Sequence, residues 1–269
     1  MCEEDGQAFR PIAGGGMPDG LIESPVRFPG DGIVNRGVLI YPEAPGPYPG
    51  VMIHPGAGGM TVRVVEIGRQ VARKGYTTLV WDLYSSVPES NMPADTTFPA
   101  LVPIFREMDD RSHLTSMGEA FDYLASLPVA QGDRIAVMGF CTPFPLLFAC
   151  QNTRLRGCIS FYNVLRYNEA NKADRAVQPI DRVANLWCPW QGHYGEDDAG
   201  IPLEQLKELD ELGHRFEKRM EQHIYPGCNM ALRSPAGPTT TRRVRRRPGD
   251  GRSSFWKGSS KADLSKIGH

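Results

Sequence analysis

The chain has 269 residues, of which 41% are hydrophobic, 23% charged and 9% aromatic, and its formal net charge is −1 at pH 7. That balance excludes a disulfide-stapled miniprotein, a collagen-like fibre and a wholly disordered chain. No apolar run reaches the about 20 residues that span a bilayer, and the acidic start at Glu3, Glu4 and Asp5 lacks the basic-then-apolar pattern of a secretion signal. A cytoplasmic protein with no membrane association is therefore expected.

Short apolar runs alternate with helical spacing between residues 37 and 225. Residues 37–41 and 50–53 predict strands separated by the Pro-rich stretch 42–49. A helix is expected over 62–74, closed by Gly75, and the β-branched run 77–81 predicts a strand. Residues 85–103 carry repeated prolines and read as irregular. Leu114, Met117, Phe121, Leu124 and Leu127 recur at intervals of three and four, which marks one face of a helix. Strands are predicted at 135–138, 158–161, 186–190 and 223–225, with helical spacing over 203–220. This β-α alternation implies an α/β fold with a mostly parallel central sheet and helices on both faces. Chemistry in such folds sits just beyond the C-terminal ends of strands.

Three places matter for that reason. After the strand at 135–138 comes Gly139-Phe140-Cys141-Thr142-Pro143-Phe144, followed by an apolar helical run at 146–150. A thiol on a sharp strand-to-helix turn is held above the sheet, where the helix N-terminus favours the thiolate. The backbone N–H of Thr142 is placed to donate to an oxyanion. The competing reading of Cys141 is a core cysteine.

The second place is Gly195-Glu196-Asp197-Asp198-Ala199-Gly200-Ile201-Pro202. A carboxylate after a late strand orients the base histidine of a hydrolase, and Asp198 is the better placed because Ile201-Pro202 fixes its loop. A solvated acidic turn capping the next helix is the alternative. The third place follows the strand at 223–225, where the base should stand, and it holds Cys228-Asn229-Met230-Ala231. None of His54, His113, His193, His214, His223 and His269 lies there; His113 and His214 fall on predicted helices and are expected at the surface. The cysteines Cys2, Cys141, Cys150, Cys158, Cys188 and Cys228 show no C-x-x-C pair, so no metal or organic cofactor is implied.

Taken in order, several segments resemble the dienelactone hydrolase family of the α/β-hydrolases. The looser matches are Pro47-Tyr48-Pro49-Gly50-Val51-Met52-Ile53-His54, Gly75-Tyr76 and Asp82-Leu83-Tyr84. The more specific ones are Gly139-Phe140-Cys141, Phe161-Tyr162, Gly195-Glu196-Asp197-Asp198 with Ile201-Pro202, and Tyr225-Pro226-Gly227. The resemblance covers residues 26–232. It implies hydrolysis of a small-molecule ester or lactone by a Cys-His-Asp triad through an acyl-enzyme. By position, Cys141 is the nucleophile, Asp198 the orienting acid, and the N–H groups of Thr142 and Gly56 the oxyanion donors. The chain departs from the family pattern at Pro143-Phe144, where two glycines are usual, at Pro55, where an acidic residue is frequent, and at Met230, which occupies the histidine position. A thioether cannot take and return a proton at neutral pH, so impaired turnover is expected. The alternative is a non-catalytic scaffold or binding protein of the same fold.

The resemblance fades after Asn229, which sets the expected organisation as a hydrolase domain over 1–229 and a basic tail over 230–269. The tail holds ten Lys/Arg against two Asp/Glu, while 20 basic and 29 acidic residues precede it. Arg242, Arg243, Arg245, Arg246 and Arg247 cluster amid Pro, Gly, Ser and Thr with no helical apolar period, so the tail reads as disordered or out of frame. A one-base deletion within codons for Asn-His-Gly-Phe yields Asn229-Met230-Ala231-Leu232. Aromatic interleaving is limited to Phe255 and Trp256, so nucleic acid is not the expected partner.

Overall fold

The computed structural model describes residues 15–16, 20–93, 96–168, 177–229 and 242–243. The chain divides into two compact units between Ala136 and Val137, inside the single strand β6 (Ala130–Phe140).

In the first unit, strands β1 (Gly15–Gly16), β2 (Leu21–Pro29), β3 (Val34–Pro42), β4 (Tyr48–His54) and β5 (Thr77–Trp81) pair in the order β1-β2-β3-β5-β4. The β4–β5 pair is parallel and the others antiparallel. Helix α1 (Val62–Arg73) starts at Thr61, whose hydroxyl accepts the Val64 N–H at 3.3 Å, and buries Val64, Val65, Ile67 and Val71. Gly68 sets how closely it docks, since a Cβ there would stand 2.7 Å from Val80 Cγ2 and 3.1 Å from Ile40 Cδ1. Helix α3 (Asp110–Ser126) is capped by Asp109, which accepts the Ser112 N–H at 2.8 Å. Side chains alternate along β5: Val80 meets α1, whereas the Trp81 ring lies 5.2 Å from that of His113 on α3. The two helices thus cover opposite faces of the sheet, as the alternation predicts.

Two stretches differ from expectation. Strand β2 has no counterpart in the predicted elements, because Glu23, Pro25 and Arg27 break its apolar reading; it pairs with β3 along its whole length. The stretch 85–103 is more regular than its prolines suggest. It contains short 3-10 turns at Leu83–Ser86 and Glu89–Asn91 and the start of helix α2 (Phe98–Glu107). Pro99 falls in the first turn, where its missing N–H costs nothing, and only Pro103 interrupts the helix interior.

In the second unit, β7 (Gly157–Phe161), β8 (Trp190–Gly195) and β9 (Met220–Tyr225) are parallel, and β10 (Arg242–Arg243) lies antiparallel to β9. Helix α4 (Phe144–Gln151) precedes β7 and α5 (Leu203–Arg215) precedes β9. The expected strand at 186–190 is displaced: β8 begins at Trp190, after Pro189 and a 3-10 turn over Pro179–Asn185. Pro189 has no N–H to give to a ladder, so pairing starts beyond it. Register then places Phe161, His193 and His223 side by side on three strands. Their rings stack, with centroids 4.7 Å apart in both contacts. The opposite face carries Cys158 against Pro145 of α4 and Gln222 against Leu206 of α5. No described helix is long and apolar enough to cross a membrane.

Candidate active site

Cys141 immediately follows β6 and precedes α4. It is half-buried and holds φ at 65°, in the left-handed region that a residue with a Cβ enters only at a cost of about 1–2 kcal/mol. The strain is held from both sides. Its N–H donates to Phe161 O at 3.0 Å, and its carbonyl accepts the Val164 N–H at 3.2 Å. The Thr142 N–H turns back onto Phe140 O at 2.6 Å, closing a three-residue turn of the strained kind. The chain then enters α4, whose residues from Phe144 to Cys150 are all buried. Pro143, with φ at −75°, serves as the N-cap residue and accepts the Leu147 N–H at 3.0 Å, so the helix starts here without a glycine.

Asp198 lies beyond β8 and is 5% exposed. Its Oδ1 accepts the Gly200 N–H at 2.9 Å, whereas Oδ2 is buried and has no hydrogen-bond partner among the described residues. A carboxylate that merely capped the next helix would not be buried in this way; α5 has Pro202 as N-cap, with no side-chain cap. The loop is tied to the one that follows β9: Glu196 N–H donates to Tyr225 O at 3.0 Å and Asp197 N–H to Cys228 O at 2.9 Å. Gly195 permits this approach, because a Cβ there would stand 2.3 Å from Cys228 O and 2.5 Å from Asn229 O. Met230 lies outside the described residues.

Beneath these loops, the Tyr194 hydroxyl donates to Asn163 Oδ1, and both side chains are fully buried. Burial pushes the Tyr194 phenol well above its ordinary range, with the Cys158 thiol and the Asp198 carboxylate adding to the effect. His193 Nδ1 and the Tyr225 hydroxyl are 2.8 Å apart. Sequence reading passed over Tyr194 and Asn163, which belong to no motif; their only signal is a position next to strand ends.

The other described cysteines are core. Cys150, Cys158, Cys188 and Cys228 are at most 5% exposed. Burial pushes the Cys150 and Cys188 thiols up to about 12 and holds Cys158 well above its usual range.

Gly56 lies in the first unit, in the loop after β4, with φ at 78°. Its N–H donates to His54 Nδ1 at 3.1 Å. With that nitrogen accepting, neutral His54 carries its proton on Nε2, which faces His113 Nε2 at 2.8 Å. Desolvation lowers the His54 pKa to about 3, opposed by an interaction with the residue's own backbone. His113 is 3% exposed, which corrects the expectation of a surface residue. The helix forms as expected, its buried face is Met117, Ala120, Phe121 and Leu124, and His113 continues that stripe one turn earlier. His214, on α5, is the exposed one, with 54% of its side chain accessible.

The model of the dienelactone hydrolase family matches residues 36–241. A Bradyrhizobium protein named "Probable 2-oxo-3-(5-oxofuran-2-ylidene)propanoate lactonase" is 27% identical over 195 residues, 72% of this chain and 77% of that one. A "Putative carboxymethylenebutenolidase" from Methylorubrum extorquens is 23% identical over 224 residues, 82% of this chain and 76% of the other. Among solved structures, the "Putative Dienelactone Hydrolase" of Klebsiella pneumoniae superposes with a TM-score of 0.71 at 22% identity, covering 79% of this chain and 88% of that one. That likeness fixes the α/β-hydrolase fold. The family match spans both units and runs through the Cys141 turn and the Asp198 loop, and on it the chain belongs to the dienelactone hydrolase family.

Proposed function

We propose that the chain is a thiol-dependent hydrolase of small esters or lactones, with Cys141 as nucleophile, Asp198 as the acid that orients the base, and Met230 in the place of that base. The observation that carries this reading is the pair of features in the second unit: a half-buried thiol on a strained turn, and a buried Asp198 oxygen with no partner among the described residues. The names of the Bradyrhizobium and Methylorubrum relatives support a lactone as the substrate.

In this scheme the Cys141 thiolate attacks the carbonyl, the tetrahedral oxyanion takes the N–H of Thr142, and the C–O bond breaks to give an acyl-enzyme that water opens. That donor has a neutral acceptor in the resting structure, Phe140 O. An oxyanion is the stronger, charged acceptor and competes for it. With a thioether at position 230, neither the thiol nor the attacking water has its base, so acylation is slow and deacylation slower.

The test is p-nitrophenyl acetate followed by mass spectrometry. The expected result is an acetyl adduct on Cys141, absent in Cys141→Ala, and a rise in turnover of about 100-fold or more in Met230→His. Nitrophenol release unchanged by Cys141→Ala would reject the nucleophile. The absence of a histidine at position 230 favours one other reading, a non-catalytic scaffold of the same fold, which predicts no adduct at all.

A further inference from the structure

Asn163 and Tyr194, both in the second unit, form a buried polar pair that stability does not account for. Both side chains are fully buried, and the Tyr194 hydroxyl donates to Asn163 Oδ1. The other end of the same amide, Nδ2, is buried with no hydrogen-bond partner among the described residues. One neutral bond gained is offset by one donor stranded away from water, and an apolar pair of the same shape would hold this region about as well.

What the pair does hold is a place. Asn163 stands within residues 161–164, a segment bonded on one side to the Cys141 turn and on the other to the end of β8. Toward Cys141, Phe161 O accepts the Cys141 N–H at 3.0 Å, and the Val164 N–H donates to Cys141 O at 3.2 Å. Toward β8, the Tyr162 N–H donates to His193 O at 2.7 Å, and Asn163 Oδ1 takes the Tyr194 hydroxyl. Two residues that carry a Cβ are left-handed here, Cys141 at φ 65° and Tyr162 at φ 39°. Such conformations persist only where the surroundings over-determine them. The anchor itself is rigid, since the rings of Trp190 and Tyr194 close over Gly192. A Cβ at Gly192 would stand 2.1 Å from Trp190 Cη2 and 2.7 Å from Tyr194 Cε2. Burial, with the Cys158 thiol and the Asp198 carboxylate, keeps the phenol protonated and therefore a donor.

We propose that Asn163 is a positioning residue: through its bond from Tyr194 it fixes residues 161–164 and so holds Cys141 in the left-handed turn from which α4 starts. This rests on the reading of Cys141 as nucleophile. Without the bond, the backbone at 162–164 is released and Cys141 relaxes out of positive φ. Its sulfur then loses the place beside the helix N-terminus that favours the thiolate.

The experiment reads Cys141 in the full chain with two reagents, adducts being located by mass spectrometry. Iodoacetamide, from which the thiolate displaces iodide, gives the pH profile of the thiol. p-Nitrophenyl acetate gives the acylation rate: the C–S bond forms, the C–O bond breaks and p-nitrophenolate leaves. Tyr194→Phe, which keeps the ring, and Asn163→Ala should each raise the alkylation midpoint by about one pH unit and slow acylation about 10- to 100-fold. The double variant should be no slower than the slower single, because both lose one and the same bond. Gln222→Met removes another buried bond of this unit, from Gln222 Nε2 to Leu206 O at 3.1 Å, and should leave both readouts unchanged. A midpoint and a rate that stay put in Tyr194→Phe would overturn the assignment while leaving the acyl-enzyme intact. So would losses that multiply in the double variant, or a loss of the same size in Gln222→Met. No acetyl adduct on Cys141 of the unsubstituted chain would instead refute the acyl-enzyme reading, and the assignment with it.

Discussion

Asp198 and position 230 can be tested against each other through stability alone, without any turnover. As the chain stands, Asp198 contributes one turn bond, from Gly200 N–H at 2.9 Å, and buries a second oxygen that has no partner among the described residues. A net hydrogen bond is worth about 1 kcal/mol, while an unsatisfied buried polar atom costs about 1–3 kcal/mol. The two effects oppose, so Asp198→Ala should change the unfolding free energy by no more than about 1–2 kcal/mol in either direction. On the proposed triad, Met230→His would offer Oδ2 a donor. A hydrogen bond to a charged group is worth about 1.5–3 kcal/mol, and Met230→His should stabilise the chain by that amount where Asp198 is present and not where it is alanine. The coupling energy of the four-protein cycle, measured by urea unfolding, is therefore expected at about 1.5–3 kcal/mol. Asp198→Asn in the same cycle should show about half of it, because the amide oxygen accepts a neutral bond. A coupling below about 0.5 kcal/mol would mean that Oδ2 does not face position 230, and the carry-over of the triad onto these residues would fall.

Two further outcomes follow from the packing. His54 is held neutral by burial at about 3 rather than 6.5, so below pH 6.5 the unfolded chain binds a proton that the folded chain does not. Stability is fully present above 6.5 and is lost towards 3, at about 1.4 kcal/mol per pH unit. Urea unfolding free energies should show this slope between about pH 6 and pH 4, and His54→Gln should flatten it; an unchanged slope in the variant would assign the acid sensitivity elsewhere. Gly195→Ala forces a Cβ onto the carbonyls of Cys228 and Asn229, so it should destabilise the second unit by about 2–3 kcal/mol. It should also slow any acylation that depends on the Asp198 loop, whereas unchanged stability would show that the two loops are free to part.

Legibility of the fold followed the kind of signal each element carries. Strand β5 is found over Thr77–Trp81, the residues predicted, because a β-branched run bounded by Gly75 leaves no other reading. Strand β8 was misplaced because its residues, Gln191-Gly192-His193-Tyr194-Gly195, look polar or small. Burial there comes from ring stacking across β7 and β9, which lies far away in sequence. Along α3 the apolar spacing that starts at Leu114 leaves His113 out of the buried stripe; register by one residue decides which face is core, and a histidine in the stripe is invisible to hydrophobicity alone. For the candidate site, Cys141 and Asp198 were legible because motif and strand end coincide. The contacts of Tyr194 with Asn163, and of Tyr84 with the 57–59 loop, join segments distant in sequence whose approach no local rule specifies.

The burial of four of the five described cysteines has a redox consequence. Oxidants and alkylating agents act on thiolates that solvent can reach, and burial at Cys150, Cys158 and Cys188 suppresses both the ionisation and the access. Among these five positions, damage is therefore channelled onto Cys141, the one thiol on a surface turn. Peroxide exposure should carry that sulfur through sulfenic acid towards irreversible sulfinic acid while the packed sheet stays intact. A chain aged in air would thus keep its circular dichroism and lose its thiol chemistry, and a reductant would bring back only the fraction caught at the first step.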